Sequence, residues 1–404
     1  MKTILTINAG SSSLKLGLFS MDKQALLLRL DTSDIYGDAL LKIKPNGALA
    51  NKLHKQKISL SDIAGPEVWQ AASFDAHRYC LEYALEFIQT QLNDIVISGI
   101  GHRVVHGSEH YSSPCLLDEK HLNNLQSFIP LAPLHQPFNL KLIELCQQLC
   151  PGTAQVACFD TMFHVGQSQL ERYYAIPKRY SEAGVQRYGF HGLSYQYIAG
   201  ELQGLNASSS KSIVCHLGAG ASMCALKDFK SAASSMGFSA LEGLPMGSRT
   251  GSIDPGVLLY LQREQGLSLD ELEDLLYRQS GCLGVSGISS EMKILLEQDN
   301  HADAKLAVDM FCYRSALEIA RLAAVLEGLD SLVFTGGIGE NSAFIREQIS
   351  TRCQWLGLKI DSERNQEGEL NISHADSSID CYVIPTNEEL VIAQESIQLL
   401  NAEN

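Results

Sequence analysis

Two arginines, a histidine, two carboxylates and a set of glycine-rich turns are the groups in this chain equipped to handle an oxyanion. Arg103 stands in Gly101-His102-Arg103-Val104-Val105-His106-Gly107, just after a strand-like stretch, and Arg249 is the single arginine of the glycine-rich run 241–256. An arginine offers five N–H donors in a planar fork that matches a carboxylate or a phosphate. His191 sits between Phe190 and Gly192, Asp160 follows the strand-like run 155–159, and Glu388 opens a helical pattern after Pro385. Each has a plainer reading beside the chemical one. Arg103 serves equally as a strand-end cation in a salt bridge. Asp160 suits base or metal work, or caps the following turn. His191 suits donation to developing negative charge, or is a satisfied structural histidine. His135, in the proline-stiffened loop 130–137, is open to the same two readings. Thr386 and Glu389 match a capping box, which leaves Glu388 for a metal-bound water.

These groups need a frame. In Ile4 to Phe19, two apolar runs flank Asn8-Ala9-Gly10-Ser11-Ser12-Ser13, the signature of a β-hairpin whose small turn lets backbone N–H groups and three hydroxyls converge on one anion. It is no Walker loop, because strand and not helix follows. The layout recurs at 213–226, where Gly220 aligns with Gly10. A chain that repeats a supersecondary unit is most simply two similarly built domains, and two such hairpins facing each other would grip a polyphosphate from both sides. A third glycine turn, Thr335 to Ser342, follows the strand-like Leu332-Val333-Phe334.

Composition sets the outer limits. The chain has 404 residues, 45% of them hydrophobic and 19% charged, enough for two ordinary cores. A formal charge of −15 argues against nucleic acid or an anionic membrane as partner. No apolar run is long enough to span a bilayer, and no signal peptide is evident. Eleven cysteines without CxxC spacing point to reduced thiols in a cytoplasmic protein. Along the chain, 26–60 shows no clear motif, 67–92 has helical periodicity, and further helices are expected from about Asp118 and after Pro137. Ser194 or a neighbour is expected to cap the helix after His191, and Ser268 with Glu271 forms a capping box. Gly284 to Ser290 reads as a loop, 302–326 as a long helix and 379–384 as a strand.

The ordered motifs INAGSSSLK, GHRVVHG, APLHQP, FDTMFH, YGFHG, HLGAG, SMGF, LEGLPMGSRTGSIDPG, FTGGIGENS and IPTNEEL resemble those of the acetate kinase family of short-chain carboxylate kinases. The resemblance implies an α/β fold of two duplicated RNase H-like, actin-like ATPase domains with a cleft between them. One domain would span 1–152 plus 386–404, and the other 153–385, the second binding nucleotide and carrying the dimer contact. It implies reversible transfer of the ATP γ-phosphoryl group to acetate, with Mg²⁺ or Mn²⁺, in a homodimer. Arg103 and Arg249 would hold the carboxylate and the phosphoryl group in flight, His191 its equatorial oxygens, and Asp160 would be the catalytic carboxylate. Asn8 and Glu388 would hold the metal. Ser13, Lys15 and the turn His216, Leu217, Gly218, Ala219, Gly220 would reach the nucleotide phosphates. Glu291, Met292, Lys293 and the turn Gly337, Ile338, Gly339, Glu340, Asn341 would flank the adenosine side, and His135 would play a supporting part. Val105, Leu134, Phe190 and Ala240 would line a small pocket for the methyl group of the acid.

Several positions depart from the family pattern. Ala219 replaces an asparagine, Ala233-Ser234 an Asp-Thr pair, Ala240 a proline, and Glu291 and Lys293 an aspartate and an arginine. Ala240 enlarges the acid site, so a propionate or other short-chain carboxylate kinase is the nearest alternative. An actin-like or Hsp70-like ATPase switch would explain the paired hairpins but not two arginines beside a small apolar pocket. A carboxylate sensor would require the loss of an essential group, and none is lost.

Overall fold

The apolar run after Met1 forms β1 (Lys2–Ala9), buried along all but its first residue, which is how a strand covered on both faces reads. The computed structural model describes residues 1–10, 12–71, 73–205, 210–298 and 300–402, so Ser11 of the first glycine-serine turn lies outside the described residues. β2 (Ser13–Ser20) returns antiparallel to β1 with Asn8 opposite Lys15. The stretch 26–60, which shows no pattern in sequence, continues the meander as β3 (Leu26–Ser33), β4 (Leu40–Pro45) and β5 (Gln56–Ser59). Its buried and exposed positions alternate in β4, but the leucine run at the start of β3 blurs the period from which a strand would be read. β6 (Val96–Val104) and β8 (Ala154–Phe159) then add in parallel, with the short β7 (Cys115–Leu116) at the edge, giving the order β5-β4-β3-β2-β1-β6-β8-β7.

The second sheet repeats this plan. β9 (Lys211–Leu217), β10 (Ala221–Lys227) and β11 (Lys230–Ser234) form an antiparallel meander, and β12 (Ser331–Thr335) and β13 (Asp380–Val383) add in parallel, in the order β11-β10-β9-β12-β13. This strand order and polarity match the β3-β2-β1-β6-β8 core of the first sheet. The fold is therefore the duplicated RNase H-like, actin-like ATPase arrangement.

The chain divides into two compact units, Met1–Met162 with Asn387–Asn404, and Phe163–Thr386. The first boundary expected after 152 falls ten residues later, because β8 bonds to β6 and cannot leave the first sheet. In the first unit the helix Glu388–Ala402 lies on β6 at two glycines. A Cβ at Gly101 would stand 2.4 Å from Ser396 Oγ, and one at Gly99 would stand 2.4 Å from Leu400 Cδ1. Glycine at alternate positions of β6 is what lets that helix approach the sheet.

Local expectations needed correction at several points. The helix expected after Pro137 begins at Gln136, with His135 as its N-cap residue. Thr335 to Ser342 is not an open turn, since Gly336–Asn341 is helical directly after β12. The small-residue loop expected at 284–290 begins inside the helix Gly281–Ser286. The cap before Glu388–Ala402 is Asn387, whose Oδ1 accepts from Leu390 N at 3.2 Å, and Glu389 instead pairs with Arg29 at 3.0 Å. Ser194 does not cap its helix, and Glu271 and Ser268 do form their capping box.

Candidate active site

In the first unit, three neighbouring strands end at one place. β1 contributes Asn8, β6 contributes Arg103, and Asp160 follows β8, where ligands gather beyond the carboxyl ends of parallel strands. The Arg103 guanidinium donates through Nε to both Asp160 oxygens at 3.1 Å, through Nη2 to Asp160 Oδ2 at 2.6 Å, and through Nη1 to Asn8 Oδ1 at 3.0 Å. Of its five N–H bonds, these partners leave one on each terminal nitrogen. The salt-bridge reading of Arg103 is the one these bonds show. Asn8 Nδ2 in turn donates to Glu388 Oε2 at 3.2 Å.

Asp160 is 1% exposed. Burial raises its carboxyl above the ordinary range, the Arg103 charge opposes that, and Glu388 adds to it. For Arg103, burial works against the charge, but Asp160 and Glu388 together hold the guanidinium above its usual value. Both Asp160 oxygens accept from Arg103, and among the described residues no backbone N–H of the following turn donates to them.

The residues after Arg103 are fixed by side chains that sequence reasoning missed. Val105 N donates to Asn139 Oδ1 at 3.0 Å, His106 N to Gln136 Oε1 at 3.2 Å and Gly107 N to Thr161 Oγ1 at 3.0 Å. Val105 is buried and Leu134 half-buried. The β1–β2 turn closes through Gly10 N to Ser13 O at 2.8 Å, and the carbonyl of Gly10 meets His77 Nε2 at 3.3 Å. Lys15 is exposed next to this turn. Asn139 and Gln136 carry a readable signal in retrospect, being polar residues on the buried side of an otherwise apolar helical pattern.

The second unit gathers its own set. His191 has φ of 57°, a left-handed conformation unusual outside glycine, at the start of the helix Gly192–Gly204. Its ring stacks on His216 at 4.4 Å, and its Nδ1 meets Ser222 Oγ at 2.8 Å. A Cβ on Gly220 would lie 3.5 Å from His191 Nε2 and 3.9 Å from Arg249 Nη1, so the imidazole and the guanidinium both face the β9–β10 turn. Arg249 Nη1 also donates to Ala240 O at 3.1 Å, and Phe190 O accepts from His164 Nε2 at 3.0 Å. The long loop 241–256 is held by backbone bonds, with Gly247 N donating to Ala219 O at 3.2 Å and Thr250 N to Leu276 O at 3.0 Å.

The glycine segments of this unit also meet. A Cβ on Gly218 would stand 3.9 Å from Gly337 N, and one on Gly247 would stand 2.7 Å from Ser290 O, immediately before Glu291, Met292 and Lys293. Met292 is buried, while Glu291 and Lys293 are exposed. Glu340 is not simply a flanking group: its Oε1 accepts from Gly336 N at 2.9 Å and Thr386 N at 3.1 Å. Asn341 Nδ2 donates to Gly337 O at 2.9 Å. Arg346, 2% exposed, donates to the carbonyls of Gly339 and Glu340 at 2.9 and 3.0 Å, fixing the end of that helical turn. Arg346 also donates through Nε to Asn365 Oδ1 at 2.7 Å, a partner in a separate segment that the local sequence does not reveal.

The acetokinase family profile matches residues 3–394. Over 399 residues the chain is 41% identical to the acetate kinase of Rickettsia prowazekii, covering 98% of this chain and 99% of that protein. A propionate kinase from Francisella tularensis superposes with a TM-score of 0.88 at 34% identity, over 98% of this chain and 100% of that one. The acetate kinase of Porphyromonas gingivalis superposes with a TM-score of 0.84 at 33% identity, over 99% and 100% of the two chains. With ten motifs in order, a matching duplicated fold and near-complete coverage, the chain belongs to the acetokinase family.

Proposed function

We propose that the protein is an acetate kinase, moving the γ-phosphoryl group of ATP reversibly and directly onto acetate to give acetyl phosphate and ADP. The observation that carries this reading is the Arg103 fork, oriented by Asp160 and Asn8 with one N–H left on each terminal nitrogen. Phosphoryl transfer through a loose transition state asks mainly for alignment and positive charge around three oxygens. Arg103 and Arg249 provide that charge, and His191 donates to an equatorial oxygen. Acetate is already ionised at neutral pH, so Asp160 orients Arg103 and abstracts no proton. Ser13, Lys15, the 216–220 turn, 291–293 and 337–341 take the nucleotide, and His135 supports the acid side.

The oxygen donors suit Mg²⁺, which commonly takes one or two carboxylates and fills its shell with water and phosphate. Glu388 and the amide of Asn8, already paired at 3.2 Å, would hold it. When bound, the ion supplies charge against the phosphate oxygens.

Val105, Leu134, Phe190 and Ala240 are the residues we assign to the acid's methyl group. Ala240 leaves more room than a proline, so propionate is also used, more weakly than acetate. One methylene is worth about 1 to 3 kcal/mol of discrimination. We also assign a homodimer and a cytoplasmic location. On the helix Ala302–Leu326, the exposed Leu306, Tyr313 and Leu317 form one stripe, and the helix Pro255–Glu264 buries no residue while exposing Val257, Leu259 and Tyr260. All eleven cysteines are unpaired, and no helix among the described residues is long and apolar enough to cross a membrane.

The test is trapping of acyl phosphate with hydroxylamine. Product should require ATP, Mg²⁺ and acetate together, with propionate giving a lower kcat/KM. ATP consumption at the same rate without any carboxylate would sink the reading.

A further inference from the structure

His191 reaches the β9–β10 turn through Nε2, and what that nitrogen can do depends on where the ring carries its hydrogen. Its Nδ1 meets Ser222 Oγ at 2.8 Å, and Ser222 Oγ meets the hydroxyl of Tyr195. Ser222 and Tyr195 are both 0% exposed, so every polar hydrogen here must find an acceptor inside the protein. Tyr195 has one hydroxyl hydrogen and Ser222 has one.

Three arrangements are possible, and they differ in what they leave unpaired. If Nδ1 carried the hydrogen and gave it to Ser222, the Ser222 hydrogen would have to go to Tyr195. The Tyr195 hydrogen would then have no acceptor. If Tyr195 and Nδ1 both donated to Ser222, the Ser222 hydrogen would be stranded instead. Only a chain running from Tyr195 to Ser222 to Nδ1 places both hydroxyl hydrogens, and it requires Nδ1 to be an acceptor. A buried unmade hydrogen bond costs about 1 to 3 kcal/mol, enough to decide between tautomers. Burial also holds the Tyr195 phenol well above its ordinary value, so it stays a donor. His191 holds this contact with a left-handed backbone, φ of 57°, a conformation costly for a residue with a Cβ.

We propose that Ser222 is a positioning residue that fixes His191 as the neutral Nε2–H tautomer, its own hydroxyl turned by Tyr195. The ring then presents a donor, not an acceptor, to an oxyanion held at the Gly220 turn. The catalytic consequence rests on the reading of His191 as a donor to the phosphoryl oxygens, whereas the tautomer itself does not.

The full-length protein labelled with ¹⁵N-histidine gives the tautomer directly by NMR, with His191→Gln to assign the resonances. In the unsubstituted protein Nε2 should appear protonated and Nδ1 as an acceptor nitrogen. Ser222→Thr, which keeps the hydroxyl, should preserve that pattern and turnover. Ser222→Ala should mix the tautomers and lower kcat on the order of tenfold with the acetate KM little changed, as expected when a transition-state contact alone is lost. An Nδ1–H or mixed ring in the unsubstituted protein overturns the inference and leaves the assignment of His191 to the phosphoryl group standing. An unchanged tautomer in Ser222→Ala overturns the role of Ser222. A shifted tautomer with unchanged kcat overturns the catalytic reading of His191 instead.

Discussion

Arg103 and Arg249 carry the same kind of head group in different settings, and their removal should therefore read differently. Arg103 is tied to a carboxylate that is 1% exposed, whereas Arg249 donates to a backbone carbonyl. Each Arg→Ala change should lower kcat on the order of a hundredfold or more, the loss expected for a transition-state donor. Arg103→Ala should also destabilise the fold by about 3 kcal/mol, because Asp160 is left buried without its partner. Urea unfolding alongside the hydroxylamine assay checks both parts, and near-normal turnover in both variants would remove the two arginines from the mechanism. The type and place of these arginines were legible in sequence, since a strand-like run leading into Arg103 puts it at a carboxyl end. Their partners were not. Asn8 and Asp160 come from separate segments, and only the β1-β6-β8 order makes them neighbours of Arg103.

Among the elements, β6 has the tightest steric requirement. A Cβ at Gly101 would meet Ser396 Oγ at 2.4 Å and Ile392 Cγ2 at 2.7 Å, so Gly101→Val must push the helix Glu388–Ala402 outward. Overpacking of this kind costs about 1 to 3 kcal/mol. Because Glu388 begins that helix and accepts from Asn8, the variant should also need more Mg²⁺ for half-maximal activity, measurable by metal titration. An unchanged Mg²⁺ requirement in a destabilised variant would detach the helix position from the metal. Sequence reasoning recognised that helix but assigned Glu389 to a capping box. Asn387 caps instead, and Glu389 is drawn to Arg29 on β3, a strand that had not been recognised at all. The two errors share one cause: a partner on an unread strand cannot enter a local argument. Ser222 was missed for a related reason, being a small residue inside an apolar strand whose importance lies wholly in what touches it.

For the molecule as a whole, three buried histidines set a clear response to acid. Burial lowers His102, His106 and His164 each to about 4 from 6.5, with Gln155 partly opposing this at His102 and the Phe190 carbonyl at His164. An unfolded imidazole takes up its proton near its ordinary value, while the folded ones refuse theirs until about 4. The unfolded state therefore binds more protons across that window, and stability should fall as pH drops from 6.5 toward 4. Urea midpoints taken between pH 7 and 5 should decline steadily, and a flat series would show that these rings are protonated in the native protein. The duplicated architecture was legible from the repeated hairpin, because a glycine-rich bend between apolar runs is a local signature. The boundary after Met162 was not, because it is set by β8 pairing with β6.

The first unit is interrupted by the whole of the second, and this bears on how the polypeptide is made. When a ribosome has completed β8, the helix that covers Gly99 and Gly101 is still unsynthesised, and residues 163–386 must emerge before it does. The later-made unit is one uninterrupted segment and can close while still tethered. The earlier-made one waits with an uncovered sheet face, a surface suited to transient shielding by a chaperone. Maturation is thus expected to run against the direction of translation.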